Sequence, residues 1–395
     1  MLYHLFKYLS ETFDIPGAGL FNYLTFRAIF AGLISLIVSF CAGGAIIRLL
    51  RKKQIGETIR DLGLEGQISK KGTPTMGGII IILAILSSAL LVCDLSNIYT
   101  RLLLLTTVWC GGIGLADDCI KVFKHDKGGL SEKSKLTLQF ILGLAVALII
   151  CFSEAIHTDE LITTIPFVKA HEFNYAWLSP FKGQLGVYCT WFIYMAIIIF
   201  IILACSNGAN LCDGMDGLAA GTSAIVGLVL GIMAWLGSSV VQSTYLNIMS
   251  VPGSGEVAVF MAAFVGALIG FLWYNAYPAQ VFMGDTGSLA IGGIIGVTAV
   301  LIRKELILPI LCGIFLMESL SVLLQRAYFK CTKRKYGQGR RIWKMTPLHH
   351  HYQKEGVEAL VKAPAHAIPE AKIVTRFWII GILLGIITLA IMKIR

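Results

Sequence analysis

Apolar residues in this chain gather into long unbroken runs separated by short polar stretches, without the mixed amphipathic periodicity of a soluble core. Ten runs stand out, at 25–47, 76–93, 101–116, 136–152, 190–205, 218–237, 257–273, 289–302, 306–325 and 374–392. Most approach the roughly 17 to 25 residues with which an apolar helix crosses hydrocarbon. The pattern predicts an all-α, polytopic membrane protein of about ten transmembrane helices. A single integral membrane domain over residues 1–395 accounts for the chain, with larger loops near 153–189 and 327–373. About 24 mixed residues precede the first run and no small-residue cleavage motif follows it, so the first run is expected to be a retained helix.

Composition agrees: 56% of the 395 residues are apolar and only 14% charged, which fits no single soluble core. A net charge of +10 would suit nucleic acid if the cations were spread over one surface. They are not. The loops 48–75, 117–135 and 326–376 hold 24 of the 33 lysines and arginines. By the positive-inside rule these loops are cytoplasmic, and ten spans then place both termini on the outer, periplasmic side. The basic loops are expected to face anionic lipid or a phosphorylated substrate. No nucleic-acid motif is present, so no nucleic-acid partner is expected. Ten cysteines, Cys41, Cys93, Cys110, Cys205 and Cys312 among them, form no CxxC pair and read as small packing residues.

Acidic residues in or near membrane helices are costly and are functional candidates by default. Asp117 and Asp118 lie in GLADDCIKVFK, Asp213 and Asp216 in SNGANLCDGMDGLAAG, and Asp285 in FMGDTGS. The topology puts all three segments on the cytoplasmic side, where five carboxylates would repel one another without a positive partner. Asn207, Asn210, Asp213 and Asp216 recur every third residue, which on a helix or turn makes a drifting polar stripe. Its other reading is capping and close helix packing.

Thr73-Pro74-Thr75-Met76-Gly77-Gly78 opens the second run after Lys70 and Lys71. A helix start there offers free N–H groups to a phosphate, although Thr75 as a simple cap is the alternative. Met345-Thr346-Pro347-Leu348-His349-His350-His351-Tyr352 lies in the large inner loop behind Arg340, Arg341 and Lys344. Three consecutive histidines cannot all face one metal, so one or two of them contact phosphate or donate a proton, or the loop is merely solvated. An oxygen-rich acidic site without a cysteine pair favours a hard cation, Mg²⁺ or Mn²⁺. Such a cation joins two anionic substrates, while Lys70, Lys121 and Lys133 lie where they can hold phosphates as point charges.

TPTMGG, GLADDCIKVFK, the NxxNLxDGMDGLA stretch, FMGDTGS and PLHHHY, in this order on about ten runs, resemble the polyprenyl-phosphate N-acetylhexosamine-1-phosphate transferases. The resemblance covers nearly the whole chain. The TPTMGG and PLHHHY variants are similar to the branch that transfers phospho-N-acetylmuramoyl-pentapeptide. That resemblance implies an enzyme of the bacterial inner membrane using UDP-N-acetylmuramoyl-pentapeptide and undecaprenyl phosphate to give lipid I and UMP in peptidoglycan synthesis. It also implies Mg²⁺ as cofactor and a homodimer.

Carried over by residue, the resemblance makes Asp285 the metal ligand and Asp117 and Asp118 the acidic pair beside the reacting phosphates. Asp213, Asp216, Lys70, Asn275 and Phe282 match positions at the nucleoside end, with Phe282 on uracil. Gln325 and His349, His350 and His351 match positions around the uridine diphosphate. The lengths of 153–189 and of GVEALVKAPAHAIPEA after His351 exceed what this pattern needs, and no role is assigned to them. A sister enzyme taking UDP-N-acetylglucosamine is the nearer rival. A transporter is the rival of another class, but its acids belong near the midplane, with broken helices in matching halves. A membrane-anchored binding module would not need five clustered acids.

Overall fold

The computed structural model describes residues 1–13, 17–53, 70, 72–124, 128–153, 161–166 and 172–392. Lys71 and most of the basic loop between the first two runs lie outside the described residues. The chain is helical almost throughout. Its elements are α1 (Leu2–Phe13), α2 (Leu24–Lys52), α3 (Gly78–Val92), α4 (Ile98–Phe123), α5 (Glu132–Phe152), α6 (Gly183–Cys212) and α7 (Leu218–Ser238). They continue with α8 (Val240–Leu246), α9 (Gly255–Asn275), α10 (Gly284–Leu301), α11 (Leu308–Leu311), α12 (Gly313–Tyr336), α13 (Leu348–Gln353) and α14 (Glu370–Ile391). The two strands, β1 (Ile162–Thr164) and β2 (Glu172–Asn174), form one antiparallel hairpin within the loop 153–189.

All ten apolar runs are helical, in three forms. Among the described residues, eight helices are long and apolar enough to cross a membrane. A ninth span is broken, with Glu305–Leu311 and Gly313–Tyr336 meeting at 77°. The tenth run, α3, has 15 residues and a length of about 22 Å, short of the roughly 30 Å of hydrocarbon. Its sequence explains this: Pro74, Gly77 and Gly78 delay the helix start, and Cys93 turns extended.

α10 is the axis of the bundle. Its membrane window is 89% buried, against 22% for α2, so α10 faces protein on all sides whereas α2 presents most of its surface to lipid. α10 packs against α4, α6, α3 and α7, while α9 lies between α2 and α7. Small residues permit this closeness: a Cβ on Gly114 of α4 would strike the carbonyl of Asp285 on α10. Hydroxyls bond helix to helix as well, Ser35 to the Ala263 carbonyl at 2.6 Å and Ser88 to that of Ala31 at 2.7 Å.

α1 was not evident in the apolar pattern. It packs on α3, and the amino group of Met1 donates to the carbonyls of Leu90 and Leu91 at the far end of that helix. α14 begins at Glu370, beside Lys70, and runs to the opposite end of the bundle, where it meets α11. Met1 and the last turn of α14 thus lie at the face opposite the aspartates.

Candidate active site

The site is assembled where α4 ends and α10 begins. The stretch 73–78, which leads into α3, runs beside the segment before α10: Phe282 N donates to the Pro74 carbonyl, Gly77 N to the Phe282 carbonyl and Gly78 N to the Met283 carbonyl, each at 2.8 Å. The TPTMGG and FMGDTGS motifs are therefore one structural unit. Gly284 has φ +72°, a conformation glycine adopts without strain, and a Cβ there would press on Asp118 and Thr75. Thr75 is buried at that contact.

Asp118 is buried and accepts from the backbone N–H of Asp285 (3.2 Å) and Thr286 (3.0 Å) and from the Thr286 hydroxyl (2.6 Å). It is a side-chain cap, supplied by α4, on the first turn of α10, where a carboxylate meets unpaired N–H groups. Asp117 and Asp285 stand beside it, and one oxygen from each of the three aspartates lies within 4.8 Å of the others. Lys121 Nζ is 2.6 Å from Asp117 Oδ2 and 3.3 Å from Asp285 Oδ2. Lys135 Nζ is 2.9 Å from Asp117 Oδ1 and 2.6 Å from Asp285 Oδ2. The backbone N–H of Leu130 also reaches Asp117 Oδ1, at 2.6 Å.

On the α6 side, Asn210 donates to Asp285 Oδ1 at 2.9 Å and to Ser288 at 3.0 Å. Asn207 donates to Gln139 Oε1 at 2.8 Å, and Gln139 Nε2 donates to Ser206 at 3.0 Å. Among the described residues, three carboxylates without a histidine or cysteine make a hard oxygen donor set that fits a hard divalent cation, and the two ammonium groups balance its negative charge.

A second cluster adjoins the first through Phe282. Lys70 Nζ bridges Asp216 Oδ1 and Glu370 Oε1, each at 2.6 Å, and lies 5.9 Å from the centre of the half-buried Phe282 ring. Burial opposes the Lys70 charge, yet Glu370 and Asp216 hold its ammonium above the usual lysine value. Asp216 Oδ2 accepts from Ala279 N at 3.0 Å, and Asn275 ties the Gly217 N–H to the Val281 carbonyl at 3.0 and 2.9 Å. Asn275 thus spends both polar ends on the scaffold that carries Phe282. Asp213 caps α6, half-buried.

The histidines sit on α13. His349 and His351 are buried, and the rings of His349 and His350 are 4.2 Å apart. His350 Nδ1 contacts Gln353 Oε1 at 3.1 Å, and Gln353 in turn reaches Glu370 at 3.4 Å, which joins this helix to the Lys70 cluster. Burial, then the neighbouring His349, pushes the His350 pKa down to about 3. Burial lowers that of His351 too, whose Nδ1 accepts from Lys344 N at 3.1 Å. Gln325 is bound to the loop backbone, accepting from Ile342 and Trp343 N–H and donating to the Trp343 carbonyl.

The structure thus brings Asp117, Asp118, Asp285, Lys121 and Asn210 into one cluster and Lys70, Asp216 and Phe282 into the next. Lys133 is elsewhere: it is exposed on the first turn of α5 while Lys135 reaches the aspartates. The sequence carried a signal for this, since Lys135 stands four residues before Gln139, the polar residue of an apolar run, and so shares its helix face. Glu318 and Glu370 were also missed; Glu318 is the only charged residue in the run 306–325. The hairpin β1–β2 lies at the other end of α10, where Thr164 N donates to the Arg303 carbonyl, well away from the aspartates.

Membrane-length helices around an oxygen-rich acidic centre, with flanking ammonium groups and an adjoining aromatic ring at one face, define a membrane protein whose site is suited to anionic ligands. Comparison with known proteins narrows the class. Residues 100–303 match Glycosyl transferase family 4, and residues 70–82 match Phospho-N-acetylmuramoyl-pentapeptide-transferase signature 1. Proteins named phospho-N-acetylmuramoyl-pentapeptide-transferase are similar over the full length of both chains, 53% identical in Parabacteroides distasonis, 54% in Azobacteroides pseudotrichonymphae and 52% in Flavobacterium psychrophilum. The chain belongs to the phospho-N-acetylmuramoyl-pentapeptide-transferase family.

Proposed function

We propose that this protein transfers phospho-N-acetylmuramoyl-pentapeptide from its UDP-linked donor to undecaprenyl phosphate, giving lipid I and UMP in peptidoglycan synthesis. The observation that carries the reading is the convergence of Asp117, Asp118 and Asp285 between Lys121 and Lys135, in a chain whose relatives bear that name over their full length. The proposed location is the cytoplasmic face of the bacterial inner membrane, because the loops that build the site carry most of the lysines and arginines. The proposed assembly is a homodimer.

Asp117 and Asp285, with Asp118 behind them, are the residues that would hold Mg²⁺. A bound Mg²⁺ would offset the repulsion between the two anionic substrates and stabilise the departing phosphate. Lys121 and Lys135 then turn from the carboxylates to the donor's phosphate oxygens. Phe282 stacks on uracil, with Lys70, Asp213 and Asp216 at the nucleoside end, and the His349–His351 helix with Gln325 borders the diphosphate.

The chemical step is a direct attack by the lipid phosphate on the sugar-bearing phosphorus. The P–O bond to the bridging oxygen breaks, and UMP leaves with that oxygen. A phosphate monoester with a second pKa of about 6 is largely dianionic at neutral pH and needs little help from a base. Asp118 suits positioning better than nucleophilic attack, since its oxygens already accept from the Asp285 and Thr286 N–H groups and the Thr286 hydroxyl, and Asp117 keeps the Leu130 N–H when the lysines move.

The test is UMP release by the purified protein with undecaprenyl phosphate and each UDP-sugar in turn, with and without Mg²⁺. Turnover with UDP-N-acetylmuramoyl-pentapeptide and Mg²⁺ supports the reading. Turnover with UDP-N-acetylglucosamine in its place would assign the protein to the sister chemistry.

A further inference from the structure

Glu318 is fully buried in the second turn of α12, just past the 77° break. Among the described residues, no lysine or arginine lies within ion-pair distance of it, and its chargeable partner is His349. A buried carboxylate without a lysine or arginine beside it is costly unless other neighbours compensate it. Both of its oxygens accept from the backbone N–H of His349, at 3.2 and 3.4 Å, and Oε1 lies 3.3 Å from His349 Nδ1. A lone pair on Nδ1 would repel that carboxylate. The proton of a neutral His349 ring therefore belongs on Nδ1, which leaves Nε2 as a bare acceptor.

Both ring nitrogens of His349 are buried and neither makes a well-directed hydrogen bond among the described residues; Nδ1 has the Glu318 carboxylate 3.3 Å away, whereas Nε2 has no carboxylate beside it among those residues. Nε2 points at Gly214, where a Cβ would run into it. Gly214 is exposed and stands between Asp213 and Asp216 on the turn from α6 to α7, the turn whose Asp216 holds Lys70. An unpartnered buried nitrogen directed at an exposed acidic turn is a group without a protein partner beside the nucleoside cluster.

We propose that Glu318 is a positioning residue for His349: it fixes the Nδ1–H tautomer so that Nε2 accepts a hydrogen bond from a hydroxyl or N–H of the nucleotide-sugar donor. This rests on the reading that the histidine helix borders the donor. It also narrows it, because a neutral imidazole whose free nitrogen is an acceptor recognises a hydroxyl or amide and not a phosphate oxygen. The His350 ring lies 4.2 Å from that of His349, and Lys70 and Glu370 reach the same helix through Gln353.

Four variants, compared with the wild type by kinetics and by ¹⁵N spectra, test this. In the full-length detergent-solubilised protein labelled with ¹⁵N-histidine, the His349 resonances are identified among the 8 histidines by their loss in His349→Ala. The wild type should show Nδ1 as the protonated nitrogen and Nε2 as the bare one, and Glu318→Gln should lose that preference. Glu318→Gln should lower kcat/KM for the UDP-donor about 10- to 100-fold, the usual cost of losing a carboxylate behind a functional histidine. Glu318→Asp should recover part of that loss. In the His349→Ala background, Glu318→Gln should add nothing further. A wild-type ring protonated on Nε2, or full additivity of the two substitutions, overturns the proposal while leaving His349 in its role. Wild-type kcat/KM in His349→Ala instead overturns the reading beneath it.

Discussion

Lys135 Nζ lies 2.6 Å from Asp285 Oδ2 and 2.9 Å from Asp117 Oδ1, so one ammonium joins the end of α4 to the start of α10. Lys121 makes the parallel bridge from within α4. Carboxylates this close repel unless a cation stands between them, and a cation arriving with the substrates would displace the ammonium groups toward phosphate. Replacing Lys135 with methionine should therefore lower kcat/KM for the UDP-donor by about 10- to 100-fold, taking about 1.5–3 kcal/mol for a charged hydrogen bond. Lys133→Met, on the exposed first turn of α5, should stay within about twofold, as surface changes usually do. Steady-state UMP release compares the two, and the reverse order would remove Lys135 from the site.

Asp285→Asn should nearly abolish turnover while the protein keeps its fold. A neutral amide is a poorer ligand for a hard cation than a carboxylate. The amide still leaves an oxygen for Asn210, so the bundle keeps that bond. Titration with Mg²⁺ measures the effect. Near wild-type activity at the same metal concentration would place the cation elsewhere.

Phe282→Ala should weaken binding of the UDP-donor by roughly 1–3 kcal/mol, the cost of losing an aromatic stacked on a base. Binding of the lipid phosphate should be unaffected. Calorimetry with the nucleotide donor reads the change directly, and an unaltered donor affinity would exclude Phe282 from the nucleoside pocket.

The histidine helix gives a pH dependence of stability. Burial holds the His350 pKa down at about 3, and that of His351 is lowered in the same direction. The unfolded chain, with histidine pKa near 6.5, then binds protons that the folded one refuses. This contribution is fully present above about pH 6.5 and is lost as pH falls toward the folded value. At pH 5 the loss from His350 amounts to about 2 kcal/mol at most by linkage. His350→Gln should flatten the fall in thermal midpoint between pH 7 and pH 5 at a fixed scan rate. An equally steep fall in the variant would show that His350 is not buried neutral.

Much of this architecture was legible in the runs of apolar residues, because a bilayer demands long helices and leaves few alternatives. All ten runs are helices, yet the short α3 and the 77° break before α12 were hidden, since Gly77–Gly78 and Cys312–Gly313 read as part of continuous apolar stretches. The amphipathic α1 has too little apolar length to register. Within the site, carboxylates announced themselves because burying them is costly, and Asp117, Asp118 and Asp285 do meet. Which lysine answers them depends on the rotation of α5, since the two-residue step from Lys133 to Lys135 amounts to about half a helix turn and places them on opposite faces. Glu370 and Glu318 escaped notice because their partners, Lys70 and His349, are distant in sequence and meet them only through the fold.

The most direct test of the account follows the phosphorus. The UDP-donor is labelled at the phosphate next to the sugar and given to the purified protein with undecaprenyl phosphate and Mg²⁺. The label should enter a lipid product one for one with UMP released, and labelled UMP should not exchange into the donor when the lipid phosphate is left out. Label recovered as water-soluble phospho-sugar, or sustained lipid-free exchange that disappears in Asp117→Asn or Asp118→Asn, would contradict direct transfer to lipid phosphate at this site.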